Sequence, residues 1–182
     1  MATPAVFLDL NGTLVLPMKQ ESLAELRVID GSERAIARLC EHGFICPVVT
    51  IQARIAKGLF SEQEFRHWFV TFAAGLSRRG ARVLGPYVCP HRFAEPCACK
   101  KPSTVLYERA ARDYRIDLRR SFTIGDSAED VEAAHRFGGR GCLVRTGWAA
   151  ARVDAAQPTP YASYVADSLS EAVTWILEQA RV

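Results

Sequence analysis

The chain has 182 residues, 49% of them hydrophobic and 24% charged, with a formal charge of +3; this is ordinary globular composition, long enough for one domain with a sizeable core. Its arginines are scattered through helix-patterned segments as a solvated face and are not massed in a run, so composition gives no sign of nucleic-acid binding, and no apolar stretch reaches the length of a bilayer span. With no leader pattern of charged then apolar residues at the start, a soluble cytoplasmic protein is expected, monomeric and without a membrane or nucleic-acid partner.

In chain order, the first apolar run is AVFLDL, which reaches Asp9 before Gly12 and Thr13 turn the chain. It predicts a buried strand with Asp9 at its C-terminal end, where open α/β sheets hold their ligands. The loop LVLPMKQESLAEL follows, and SERAIARLCEHG then sets Ala35, Ile36, Leu39 and Cys40 at helical spacing before Gly43. FICPVVT predicts a second strand ending at Thr50. SEQEFRHWFVTFAAGLSRRG opens with Ser61 and, three residues on, Glu64, a capping-box pattern, and closes at Gly80. VLGPYVC predicts a third strand, STVLYERAARDY a helix, SFTIGD a strand ending at Asp126, AEDVEAAHRFGG a helix and RGCLVRTG a fifth strand. YASYVAD is a weaker sixth strand, before the helix LSEAVTWILEQAR. The βαβα order predicts a single α/β domain over residues 1–182, a central parallel sheet with helices on both faces. The segments after the first two strands are too short for an inserted cap domain, so the site is expected to be capless and roofed only by loops.

The residues able to do chemistry gather at the strand ends. Thr50 offers a hydroxyl to a phosphoryl oxygen, and CKKP supplies Lys100 and Lys101, either of which could neutralise phosphoryl charge. Asp126 and Asp130 could cap the helix that follows them; together with Asp9 they make an oxygen-rich set suited to Mg²⁺. Cys89, His91, Cys97 and Cys99 fall within one segment, CPHRFAEPCACKKP. Thiolates with an imidazole suit tetrahedral Zn²⁺, and four protein ligands leave no open position, so this site is expected to be structural. Cys40, Cys46 and Cys142 lie in apolar surroundings and are expected to be small buried side chains.

Taken in order from Val6 to about Gly147, these segments resemble the haloacid dehalogenase (HAD) superfamily, subfamily IIIA, and within it the heptose bisphosphate and histidinol-phosphate phosphatases. That group shares an Asp-x-Asp-Gly-Thr motif, a Thr-Asn-Gln-Ser-Gly-Ile-Ala-Arg-Gly run and a Cys-x-His…Cys-x-Cys-Arg-Lys-Pro zinc loop. The resemblance implies a HAD-like Rossmannoid fold and a Mg²⁺-dependent phosphatase of a phosphorylated sugar or similar small metabolite. It carries over Asp9 as the nucleophile that forms an aspartyl-phosphate, Lys101 as the phosphate-binding lysine, and Thr50 and Gln52 as phosphate or substrate contacts. Asp9, the Asn11 carbonyl and Asp126 become the Mg²⁺ ligands, with Asp130 behind them, and Cys89, His91, Cys97 and Cys99 the ligands of a structural Zn²⁺. Arg54 and Lys100 fall on the substrate side of this set.

The departures from the pattern lie in the same pocket. Ile51 and Arg54 replace Asn and Gly of the second motif, Lys100 replaces an Arg with its bidentate fork, Ser127 stands where a Lys is common, and the loop after Thr13 lacks the group's His-Gly-Tyr stretch. Asn11 replaces the second Asp of the first motif, which protonates the leaving group and then activates water. An amide supplies the same backbone carbonyl to a metal but moves no proton, and acid–base help of this kind is worth about a hundred- to ten-thousandfold, or roughly 3 to 5 kcal/mol of barrier. Three situations fit Asn11: an introduced substitution, a branch that has lost turnover, or a substrate whose leaving group departs unprotonated. The joint changes at Ile51, Arg54 and Lys100 favour natural divergence. The alternative to a phosphatase is a catalytically impaired protein that binds a phosphosugar or a protein partner.

Overall fold

The computed structural model describes residues 2–147 and 160–180. Six strands form one sheet: β1 (Val6–Leu8), β4 (Cys46–Ile51), β5 (Val83–Cys89), β6 (Phe122–Gly125), β7 (Arg140–Val144) and β8 (Ala162–Ala166). Their spatial order is β5-β4-β1-β6-β7-β8, and every neighbouring pair is parallel. The chain builds outward from β1 to β4 and β5, then returns to place β6 on the other side of β1. The crevice at such a switch point is where doubly wound sheets bind ligands.

Alternation along the strands accounts for the helices on both faces. Val6 and Leu8 of β1 face one side, with Val48, Ile124 and Val144 from neighbouring strands. Against them pack Ala35, Ile36 and Leu39 of α1 (Ser32–Glu41), Phe65, Phe69 and Leu76 of α3 (Glu62–Ser77), and Val173 and Ile176 of α6 (Leu169–Gln179). Phe7, one residue out of phase, turns to the opposite face with Val49 and Tyr87, covered by Leu106, Tyr107 and Ala110 of α4 (Val105–Tyr114) and Ala133 of α5 (Ala128–Phe137). A period of two in the strands against a period of 3.6 in the helices thus sorts one apolar sequence into two cores. The capping box at α3 forms as its sequence predicts, with Ser61 Oγ accepting from the Glu64 amide at 3.1 Å.

The roof differs from the expectation of loops alone. Residues 14–28 hold an antiparallel ribbon of β2 (Val15–Leu16) and β3 (Arg27–Val28), with a 3₁₀ turn at Leu23–Glu25, and a single turn of helix, α2 (Ala53–Ala56), follows β4. Two-residue strands are too short to show a hydrophobic period, so the ribbon leaves no periodic trace in the sequence. Among the described residues no helix is long and apolar enough to cross a membrane.

Candidate active site

Asp9 follows β1 directly, its amide donating to Ile124 O of β6 at 2.9 Å, and Asp126 follows β6 directly. The two carboxylates therefore leave the C-terminal ends of adjacent parallel strands. Asp130, at the third position of α5, turns back toward them. One oxygen each from Asp9, Asp126 and Asp130 lies within 4.8 Å of the others. Lys101 comes from the segment ahead of α4, and its Nζ donates to Asp9 Oδ1 and Asp130 Oδ1, both at 2.6 Å. The other oxygen of Asp130 accepts from Ser127 Oγ at 2.7 Å and closes the cap of α5. Asp130 thus serves both as a helix cap and as a partner of the lysine.

Missing side chains make this convergence possible. A Cβ on Gly147 would overlap Asp126 Oδ2, and so would a Cβ on Gly12, which also holds φ +88°. A Cβ on Gly125 would overlap the Asp130 carboxylate. Lys101 and Asp130 are almost wholly buried, and Asp9 retains 11% side-chain exposure. Burial pushes the Asp9 carboxyl up to about 8; Lys101 pulls against this, and the Asp130 and Asp126 charges add to the rise. With all three carboxyls ionised, their charge exceeds that of this one ammonium by two, which a divalent cation with oxygen ligands would offset. The donor set fits Mg²⁺.

Asn11 is held in a chain of amides. Gln52 Nε2 donates to Asn11 Oδ1 at 2.8 Å and to Thr50 Oγ1 at 3.0 Å, while Asn11 Nδ2 donates to Gln20 Oε1 at 3.3 Å. Gln20, Thr50 and Gln52 are all buried. Gln20 Nε2 and Gln52 Oε1 have no protein hydrogen-bond partner among the described residues. Arg54 clamps the segment carrying Gln20, with Nε donating to Gln20 O at 2.6 Å and Nη2 to Met18 O at 2.8 Å.

The thiol and imidazole groups form a second cluster, where β5 ends at Cys89. His91 Nδ1 lies 3.6 Å from Cys89 Sγ and 3.2 Å from Cys99 Sγ, and the Cys89 and Cys97 sulfurs are 3.7 Å apart. A zinc tetrahedron with Zn–S about 2.3 Å has S···S edges of about 3.8 Å and S···N edges of about 3.5 Å. The cluster therefore has the size of a Zn²⁺ site. Lys100 Nζ donates to the carbonyls of Phe93 and Glu95, at 2.7 and 2.6 Å, and so braces this loop from within.

Of the residues singled out by sequence, Asp9, Lys101, Asp126 and Asp130 share one cluster, Asn11, Thr50 and Gln52 share the amide chain, and Cys89, His91, Cys97 and Cys99 share the other metal-sized site. Lys100 and Arg54 spend their donors on backbone carbonyls. Gln20 and Gly147 drew no attention in the sequence, Gln20 because it sits in a stretch without periodicity or motif. A nearly buried carboxylate beside an ammonium, in a set of three carboxylates that could hold a divalent cation, can accept a phosphoryl group, and the amide chain can donate hydrogen bonds but no proton.

Residues 98–172 match the HAD-hydrolase-like family. The chain is 33% identical to the D-glycero-beta-D-manno-heptose-1,7-bisphosphate 7-phosphatase of Haemophilus ducreyi, with 97% of this chain and 100% of that protein covered. It is 35% identical to the enzyme of that name from Yersinia pestis, covering 80% and 82%. A solved D,D-heptose 1,7-bisphosphate phosphatase from B. bronchiseptica, complexed with magnesium and phosphate, is 29% identical and superposes with a TM-score of 0.86 over 97% of this chain and 99% of that one.

Proposed function

Because the chain belongs to the HAD superfamily of hydrolases, in the group that holds the heptose bisphosphate phosphatases, we propose that it removes a phosphoryl group from a phosphorylated sugar through Asp9. The observation that carries this reading is the meeting of Asp9, Asp126, Asp130 and Lys101 at the ends of adjacent parallel strands. The Asp9 carboxylate attacks phosphorus in line, the bond to the leaving oxygen breaks, and the aspartyl-phosphate forms on Asp9. Lys101 and the Thr50 hydroxyl face the charge that spreads over the phosphoryl oxygens. Asp9, Asp126 and the Asn11 carbonyl would hold Mg²⁺, which when bound supplies charge neutralisation on those oxygens. Water then cleaves the acyl phosphate, without a carboxylate at position 11 to take its proton. Cys89, His91, Cys97 and Cys99 would hold a structural Zn²⁺ that fixes the loop delivering Lys101.

A Cys/His set of metal-site size, as read in place of a disulfide framework, supports a reducing, cytoplasmic setting. The experiment is phosphate release from a panel of phosphorylated sugars with Mg²⁺, in the native chain and in Asp9→Asn. Turnover is expected in the first and is expected to vanish in the second, because an amide cannot serve as the attacking carboxylate. Equal activity in the two would remove Asp9 from the mechanism.

A further inference from the structure

We propose that the amides of Gln20 and Asn11 form a donor pair for a leaving oxygen that departs as an anion, so that this site is selective for phosphoryl groups carried on a weakly basic oxygen, as in an acyl phosphate or a sugar 1-phosphate. The inference rests on Asp9 being the nucleophile and goes on to the other side of the reacting phosphorus. Asn11 lies two residues from Asp9, and among the described residues its Nδ2 makes one long, 3.3 Å bond, to Gln20 Oε1. Gln20 is 1% exposed, yet its Nε2 has no protein partner among the described residues. A buried N–H left without an acceptor is unfavourable, and an oxygen gathering negative charge is its physical complement. The segment bearing Gln20 is held against Asn11 by the bond from Asn11 Nδ2 and by the two bonds from Arg54 to Met18 O and Gln20 O. In the step itself Asp9 forms its bond to phosphorus, the P–O bond breaks, and both electrons stay on the departing oxygen. No proton moves, because neither amide can give one up. The oxygen leaves as a carboxylate or a hemiacetal oxyanion that accepts hydrogen bonds from Asn11 Nδ2 and Gln20 Nε2. A basic alkoxide, such as that of a primary sugar hydroxyl, gains too little from two neutral donors to depart at a comparable rate.

The test measures kcat/KM with Mg²⁺ for aryl phosphates of graded leaving-group basicity, and for acetyl phosphate, a sugar 1-phosphate and a sugar 6-phosphate. The native protein is expected to show a steep dependence on basicity, with the sugar 6-phosphate slowest; the acetyl phosphate and sugar 1-phosphate arms separate the two sources of the preferred oxygen. Gln20→Leu removes both N–H donors without adding a charge or a proton donor beside the phosphoryl group. It is expected to lower kcat/KM on the aryl series about tenfold or more while inhibition by inorganic phosphate stays unchanged. Gln20→Met should do the same. A Gln20→Leu variant with native kcat/KM and native slope would overturn the proposal, as would a native protein that hydrolyses the sugar 6-phosphate as fast as acetyl phosphate. Either result would leave the phosphatase reading standing. Turnover of no substrate, with no phosphoryl transfer to Asp9, would overturn both.

Discussion

At Asn11 a single atom separates two chemistries. The backbone carbonyl and the shape of the side chain match those of an aspartate, and the hydrogen bonds to Gln52 and Gln20 hold the amide in place. Only the capacity to move a proton is lost. Asn11→Asp should therefore raise hydrolysis of a poor-leaving-group sugar phosphate by on the order of a hundredfold or more, and of an activated aryl phosphate far less. Values of kcat/KM on the two substrates, which report the transfer step, check this, and an equal response would place the defect elsewhere, with Ile51 and Arg54 the nearest candidates. Gly147 illustrates the converse case, a residue that acts by lacking a side chain. Because a Cβ there would overlap Asp126 Oδ2, Gly147→Ala is expected to weaken Mg²⁺ at least about tenfold, the usual scale for disturbing the support of a metal ligand. Calorimetric titration of Mg²⁺ reads this directly, and an unchanged affinity would mean that Asp126 does not hold the ion.

Among the elements, the zinc-sized loop links stability to the site. Cys97 and Cys99 stand immediately ahead of Lys100 and Lys101 in the chain, and Lys100 braces the same loop through the Phe93 and Glu95 carbonyls. Fixing the sulfurs thus fixes the route by which Lys101 reaches Asp9. Cys97→Ser should lower the melting temperature by about 5 °C or more, since each kcal/mol moves a chain of this size by about 2–4 °C. Activity should fall with it, and thermal scans with and without a chelator check the claim. The strands and long helices could be read from sequence because each runs far enough to show its period: β4 as FICPVVT, and α3 with its Ser61 and Glu64 signal. The ribbon of β2 and β3 could not, being two residues on each side. With it went Gln20, whose importance is purely spatial: the fold brings it to Asn11 from a segment with no motif of its own. Metal-ligand spacing and the Asp9 motif survive in sequence because ligands must recur at fixed intervals, whereas a buried amide contact leaves no such mark.

In the molecule as a whole, the strand ends at one end of a parallel sheet position most of the site. β1 brings Asp9, β4 brings Thr50, β5 leads into the cysteine loop, β6 delivers Asp126, and the chain beyond β7 brings Gly147 against it. The switch in strand order beside β1 opens the crevice in which these residues meet. Phosphoryl transfer to Asp9 should outrun hydrolysis of the aspartyl-phosphate, because Asn11 can neither take a proton from water nor be replaced in that task by the amides around it. The direct measurement is intact-protein mass spectrometry after brief mixing with acetyl phosphate and Mg²⁺. A covalent adduct of one phosphoryl group should accumulate on the native chain, be absent in Asp9→Asn and shrink in Asn11→Asp. Release of phosphate by the native chain with no such adduct, or an adduct that persists in Asp9→Asn, would contradict it.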